Sequence, residues 1–290
     1  MAAARTDNTI RLKDGRALGY ADYGDPAGRP LFYLHGFPNS RVGAQMAGAV
    51  AARRGIRLIA PDRPGIGLSD FKPGRAIGDW PADMLELVDA LGIDRFALMG
   101  MSGGGPYVAA CALKIPERLT AAAIVSGVAP FDEPAATADL SRWDRMRLGL
   151  GRRFPWMTRV SLWLVAQGMR RFPDRMVSLG SRSLSASDKA VLARPEVRAA
   201  IIDDYVEAFR QGTRGTAWDA RLYLRPWGFR LEEIAMEVHL WQGEEDRVIP
   251  PSMGRYQAQT IPNCRARFYP GEGHFLINDR MEEIQRALIP

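Results

Sequence analysis

The sequence predicts an α/β fold, in which a mostly parallel, eight-stranded sheet is flanked by helices and interrupted by a long helical segment. Three observations carry this. Short apolar runs alternate with longer amphipathic stretches through the first half of the chain. The alternation stops near Pro130 and resumes near residue 235. The runs that read as strands are continuous apolar blocks of strand length, as in a sheet covered on both faces.

TIRL (9–12) and ALGYADYG (17–24) read as an antiparallel hairpin around Lys13-Asp14-Gly15-Arg16, a turn signal. LFYLH (31–35), RLIAP (57–61), FALMGM (96–101) and AAAIVSG (121–127) read as buried strands. Helical patterns lie between them, at about 41–54, 79–91 and 104–114. From Asp83 to Leu91, apolar residues at 84, 85, 87, 88 and 91 fit a helix with one buried face. Strand, helix, strand in this rhythm requires crossover connections, hence parallel pairing. Residues 131 to about 234 contain no convincing buried strand. They hold amphipathic helix patterns, several prolines and five of the seven tryptophans, at 143, 156, 163, 218 and 227. VHLWQG (238–243) and ARFYP (266–270) then read as strands, and Asp279 to Leu288 as a closing helix. The expected organisation is a core of residues 1–130 and 235–290 around a helical unit of 131–234.

Composition bounds the rest. The chain is 47% apolar and 25% charged, as soluble globular proteins are. No run approaches the roughly 18 apolar residues of a membrane span, and MAAARTDN lacks the apolar core of an export signal. Cys111 and Cys264 have no metal-type spacing and read as free thiols in a reducing cytoplasm. The net charge of +6 is uneven: residues 141–182 hold ten arginines against Asp144 and Asp174. The remainder is slightly acidic, which argues against nucleic-acid binding by the whole fold. A solvated outer face of helices accounts best for the basic stretch. Contact with an acidic partner or an anionic membrane surface are its functional alternatives. No pattern specifies an oligomeric state.

The stretch FALMGMSGGGPY (96–107) is where chemistry enters. Ser102 falls between a strand and a helix, at the carboxyl edge where open parallel sheets bind ligands. Gly100-Met101-Ser102-Gly103-Gly104 fits G-x-S-x-G, a sharp turn whose glycines relieve crowding and hold the hydroxyl outward. The Gly103 amide, at the helix start, faces developing negative charge. A serine hydroxyl needs a base. Of three histidines, His239 lies inside a strand and reads as structural, and His35 ends another strand. His274, in the loop PGEGHF after the last strand, shares the edge with Ser102 and is the better base. An acid must hold the imidazole's tautomer. WQGEEDRVIP offers Glu244, Glu245 and Asp246; Asp246 sits deepest, and the glutamates read as a solvated pair. Asp132, beyond the strand 121–127, is a weaker second site. In HGFP (35–38), Gly36 lets the backbone turn close and Pro38 fixes the next angle, so that the Phe37 amide can point inward. The loop 62–69 reads as a wall of the site, with Asp62 and Arg63 expected to pair and brace it.

Taken together these segments resemble the α/β-hydrolase superfamily. His35-Gly36-Phe37-Pro38 resembles its HGxP loop, Asp62 to Ser69 its DxPGxGxS loop, and Gly100 to Gly104 its nucleophile elbow. Gly243 to Pro250 is similar to its acid loop and Gly273-His274 to its histidine loop. The order Ser102, Asp246, His274 is the order expected there. The resemblance implies an oxyanion hole from the amides of Phe37 and Gly103, and a cap, inserted after the sixth strand, formed by 131–234. Members that open epoxides or displace halides carry an aspartate nucleophile, so serine at 102 points instead to esters, lactones, thioesters or the carbon–carbon bond of a β-diketone.

The resulting expectation is a serine hydrolase of the carboxylesterase type, acting through an acyl-enzyme on a small or medium-sized hydrophobic acyl substrate. The same triad would serve a carbon–carbon hydrolase, an iminopeptidase or a perhydrolase. An iminopeptidase would want acidic groups in the cap, which is basic. A ligand-binding receptor that keeps the fold with little turnover is the rival outside catalysis. No metal or organic cofactor is expected: zinc-type Cys/His spacing and GxxxxGK[ST] loops are both absent from the sequence. Tryptophans, methionines and leucines of the cap are the candidates for lining an apolar pocket.

Overall fold

The computed structural model describes residues 5–290. Residues 1–4, part of the MAAARTDN stretch, lie outside the described residues. The strands are β1 (Arg5–Arg11), β2 (Ala17–Gly24), β3 (Arg29–Leu34), β4 (Ile56–Pro61), β5 (Phe96–Met101), β6 (Leu119–Val125), β7 (Val238–Gly243) and β8 (Cys264–Tyr269). They form one eight-stranded sheet in the order β1-β2-β4-β3-β5-β6-β7-β8. β2 pairs antiparallel with β1 and β4; every later pairing is parallel.

Helices α1 (Gln45–Arg53) and α11 (Ile277–Leu288) cover one face of the sheet, and α2 (Trp80–Ala90), α3 (Gly105–Lys114) and α10 (Pro251–Thr260) the other. The period-2 geometry of a strand sorts its residues between the two layers. In β3, Phe32 and Leu34 join the α2–α3 side, while Leu31 and Tyr33 join the α1–α11 side. In β5, Phe96 and Leu98 divide from Ala97 and Met99 in the same way. Each large side chain buried so contributes about 1.5–3 kcal/mol. The expected strands match with small shifts at their ends. β6 stops at Val125 because Ser126 takes φ 45°, outside the strand region.

Between β6 and β7 lie α4 (Arg142–Arg153), α5 (Pro155–Arg171), α6 (Pro173–Gly180), α7 (Ala186–Leu192), α8 (Pro195–Ala208) and α9 (Arg214–Tyr223), with no strand among the described residues. Pro155, Pro173 and Pro195 each open a helix, where the missing N–H costs nothing. The helices seat on the sheet's carboxyl edge through buried polar contacts. Asp204 of α8 accepts from the Ser40 amide at 2.7 Å and the Ser40 hydroxyl at 2.8 Å. Asp219 of α9 accepts from Arg63 Nε at 2.8 Å, Tyr107 Oη at 2.9 Å and Arg75. Gly215 packs on Gly65 so closely that a Cβ on Gly65 would come within 2.9 Å of the Gly215 Cα.

The expected Asp62–Arg63 pair does not form. Adjacent residues of an extended loop point apart. Asp62 meets Arg41 Nη1 at 2.9 Å and the amides of Arg41 and Leu68. Arg63 reaches Asp219 and the carbonyls of His35 and Gly36. Cys111 is buried, Cys264 half-buried, and both are free thiols. No helix among the described residues is long and apolar enough to cross a membrane.

Candidate active site

Ser102 directly follows β5 at φ 54°, the left-handed region that a side-chain-bearing residue rarely occupies. Local packing holds it there. A Cβ on Gly104 would overlap the Leu34 carbonyl, and one on Gly100 would lie 2.7 Å from the Gly104 carbonyl oxygen. A Cβ on Gly103 would come within 2.9 Å of the Phe37 Cβ and 2.7 Å of the Tyr223 hydroxyl. Gly103 is therefore packed closely against the Phe37 side chain, next to Ser102. Tyr223 of α9 donates to the Gly103 carbonyl at 2.9 Å, tying the helical layer to this turn.

His274 begins the turn after β8, and its Nδ1 donates to Asp246 Oδ2 at 2.8 Å. The other carboxylate oxygen accepts the Val248 and Ile249 amides, each at 2.8 Å, and Gln242 Nε2 approaches Oδ2 at 3.3 Å. The acid is thus fixed by the loop that carries it. Burial pushes the imidazole's pKa down, but the charge and hydrogen bond of Asp246 outweigh it, and the net is a rise above the ordinary histidine value. Ser102 and His274 share the wall of one cavity of about 610 Å³. No hydrogen bond joins the Ser102 hydroxyl to the ring, an arrangement familiar from ligand-free sites that tighten on binding substrate.

The other candidates fall elsewhere. His35 is fully buried, its Nδ1 donating to the Gly36 carbonyl at 3.0 Å while Nε2 accepts the Arg63 amide at 3.2 Å. Both ring nitrogens are occupied. Burial and the Arg63 guanidinium hold its pKa well below the ordinary value. His239 lies at the amino end of β7, at the far edge of the sheet, stacked on Trp241. Glu244 and Glu245 are exposed, as is Asp132.

The cavity lies between the sheet edge and the intervening helices. From those helices and the connection before α7 it takes Leu162, Val165, Met169, Met176, Leu184 and Leu192, and no tryptophan. Trp227 is buried in the core below, while Trp143, Trp156 and Trp163 stand exposed. Two further residues of the site had no local signal. Asp188 of α7, buried, accepts from the Phe275 amide at 2.8 Å, directly after His274. Ser185-x-x-Asp188 reads locally as a helix cap, which it is, but its second partner lies 87 residues away. Asp204 lines the cavity, and burial raises its carboxyl to about 7. Among the described residues no group of three or more His, Cys, Asp or Glu side chains could hold a metal ion.

Comparison with known proteins agrees with this architecture. The family model of the alpha/beta hydrolase fold matches residues 29–280. A non-heme chloroperoxidase of Streptomyces lividans is 33% identical over 124 residues, 42% of this chain and 45% of that protein, so the match spans less than half of either. A 2-hydroxymuconate semialdehyde hydrolase of Pseudomonas putida is 26% identical over 96% of this chain and 91% of its own. Among solved structures, an esterase of Exiguobacterium antarcticum shares the fold with a TM-score of 0.73 at 18% identity, over 98% of both chains.

Proposed function

The chain belongs to the α/β-hydrolase family, and from that premise we propose that it is a serine hydrolase cleaving a carboxylic ester, or a related acyl bond, of a hydrophobic substrate. One observation carries the reading. The Asp246–His274 hydrogen bond uses Nδ1 and leaves Nε2 as the open ring nitrogen on a cavity wall shared with Ser102.

Ser102 Oγ gives its proton to His274 Nε2 and attacks the carbonyl carbon. The oxyanion is taken by the amides of Phe37 and Gly103, each contributing on the order of 3 kcal/mol to barrier lowering. Asp246 stabilises the imidazolium. His274 then protonates the departing alkoxide, leaving an acyl-Ser102 ester. Water, deprotonated by His274, attacks that ester; the acyl–Oγ bond breaks, the His274 imidazolium returns the proton to Ser102 Oγ, and the acid is released. Residues 131–234 act as the cap: their leucines and methionines give the cavity its apolar lining and select the acyl chain. The two thiols fit a reducing, cytoplasmic location.

Stoichiometric labelling by a fluorophosphonate, read by intact mass and abolished in Ser102→Ala and His274→Ala, is the expected result. Turnover of p-nitrophenyl esters from short to medium chains accompanies it. Equal turnover by wild type and Ser102→Ala sinks the proposal. The end-to-end match to the semialdehyde hydrolase favours a second reading, carbon–carbon cleavage of a β-diketone-like substrate on the same triad. Labelling with no turnover of any ester, but cleavage of such a diketone, would select it.

A further inference from the structure

The outer surface of α4 and α5 is apolar where a helix facing water should be polar. On α5, Leu162, Ala166 and Met169 form the inward stripe, and Leu162 and Met169 reach the cavity. At about 100° per residue, Trp156, Val160, Trp163 and Leu164 fall on the opposite face. They are 64%, 48%, 53% and 58% exposed. Helix α4 buries no residue at all, yet Trp143, Met146 and Leu150 repeat at i, i+3, i+7 and are 72%, 48% and 39% exposed. Exposed Phe154 and Phe172 bracket α5. The two helices pack together, so these side chains lie on neighbouring elements. A monomeric protein rarely leaves so much apolar surface uncovered without a use for it.

The same segment is cationic. Among the described residues, only Arg147 of the ten arginines in 141–182 has a carboxylate within salt-bridge reach, Asp144 at 3.8 Å. The other local acid, Asp174, is paired with Arg198 of α8. On the helical wheel Arg142 and Arg153 flank the α4 stripe, Arg159 flanks the α5 stripe and Arg171 ends it. Tryptophan on one strip and arginine beside it is the composition of helices that lie in a bilayer's interface plane.

We propose that the α4–α5 face docks the protein on the surface of an anionic lipid bilayer. Indole and phenyl rings enter the headgroup region and the guanidinium groups meet lipid phosphates. A second copy of the chain is the poorer partner, since each α4–α5 pair would bring eight arginines and one aspartate, a net +7, against the other. Docking in this way sets α5 between lipid and cavity. Leu179, on the adjoining α6, lines the cavity and is 55% exposed, which gives the cavity an apolar rim beside the docked helices. The proposal concerns attachment and stands apart from the chemistry at Ser102.

Flotation of the full chain with phosphatidylcholine vesicles containing about 30% phosphatidylglycerol tests it. Binding is expected, at least about tenfold weaker with pure phosphatidylcholine and in roughly 0.5 M salt. Replacing Arg142, Arg153, Arg159 and Arg171 by glutamine should weaken it about fivefold per residue. Trp156→Ser with Trp163→Ser should weaken it about tenfold or more, with Tm unchanged, because neither ring is packed inside. Arg265→Gln with Arg286→Gln removes two exposed charges elsewhere and should leave binding within about twofold. The proposal is overturned if anionic vesicles do not float the protein, if the tryptophan pair has no effect, or if the control pair weakens binding as much per charge. It is overturned equally if gel filtration shows a dimer that the tryptophan pair dissociates while vesicles bind neither form.

Discussion

Removing the Asp188 carboxylate tests whether the helical unit holds the base in place. Asp188 belongs to α7, and its two oxygens accept from the Phe275 amide and the Ser185 hydroxyl, each at 2.8 Å. Phe275 follows His274, so the first bond fixes the backbone from which the imidazole projects. A hydrogen bond to a charged acceptor is worth about 1.5–3 kcal/mol, and Asp188→Ala leaves the Phe275 amide without its partner. If that energy is expressed in full in the transition state, kcat/KM falls roughly 10- to 150-fold, at 1.36 kcal/mol per decade. Asp188→Asn keeps an acceptor oxygen and should stay within about threefold of wild type. The Asp188 charge also adds to the rise in the His274 pKa. The base must be neutral to act, so both variants should move the acid limb of the kcat/KM profile to lower pH. The assay is p-nitrophenyl ester hydrolysis across the pH range, with Tm measured on each variant. If Asp188→Ala lowers Tm but leaves both kcat/KM and the acid limb in place, the residue only caps α7 and the reasoning is wrong.

Asp246→Asn removes the charge that outweighs burial at His274 and offers a donor that can hold the wrong tautomer. We expect a loss of about 10⁴ in kcat with the fluorophosphonate rate falling in parallel, and a loss under tenfold would mean another group orients the ring. Asp219→Ala leaves the buried guanidinium groups of Arg63 and Arg75 without their shared carboxylate. It should cost about 3–5 kcal/mol, read as a shift of the urea midpoint, and a change under 1 kcal/mol would show that the cluster is solvated. Burial raises the carboxyls of Asp62 and Asp204 to about 6 and about 7 from an ordinary 3.8. The folded chain binds these protons more tightly than the unfolded one. That stabilisation is complete below about pH 4 and is lost as pH rises through 6 to 7. The raised His274 pKa acts in the same direction. The lowered pKa values of His35 and His239 act the other way, so the carboxyl contribution is read by difference: the Tm of wild type minus that of Asp204→Asn should fall between pH 5 and pH 8, and a difference that stays flat or rises contradicts the assignment.

What was legible in the sequence, and what was not, follows from the range of each interaction. β3, β5 and β6 are covered on both faces, so their apolar runs are continuous and stand out. β8 is an edge strand with alternating exposure, and its first two residues carry no such signal. The elbow at Ser102 was readable because part of its constraint is local, Gly100 being required by the Gly104 carbonyl and Val108, and because the glycine that the distant Leu34 carbonyl requires at 104 falls within the same short pattern. Asp188, Asp204 and Asp219 were not, because each meets its partner across the interface between sheet edge and helices, far away in the chain. The tryptophans misled for another reason. Helix α5 is apolar on two opposite faces, and periodicity alone does not say which one is inside.

The three histidines show why position along a strand goes only part of the way toward identifying a base. His35 and His274 both lie at the carboxyl edge and both are buried. Burial alone pushes each pKa down. What separates them is the neighbour. His35 faces the Arg63 guanidinium, which reinforces burial, and both its nitrogens are committed to backbone groups. His274 faces Asp246, which reverses the effect of burial and leaves Nε2 open. The arginine that disqualifies His35 is held there by Asp219, a residue of the helical unit. The packing that seats those helices on the sheet thus also disfavours charge on the second histidine, so that only one ring at this edge has both the basicity and the open nitrogen that the proposed proton transfer from Ser102 requires.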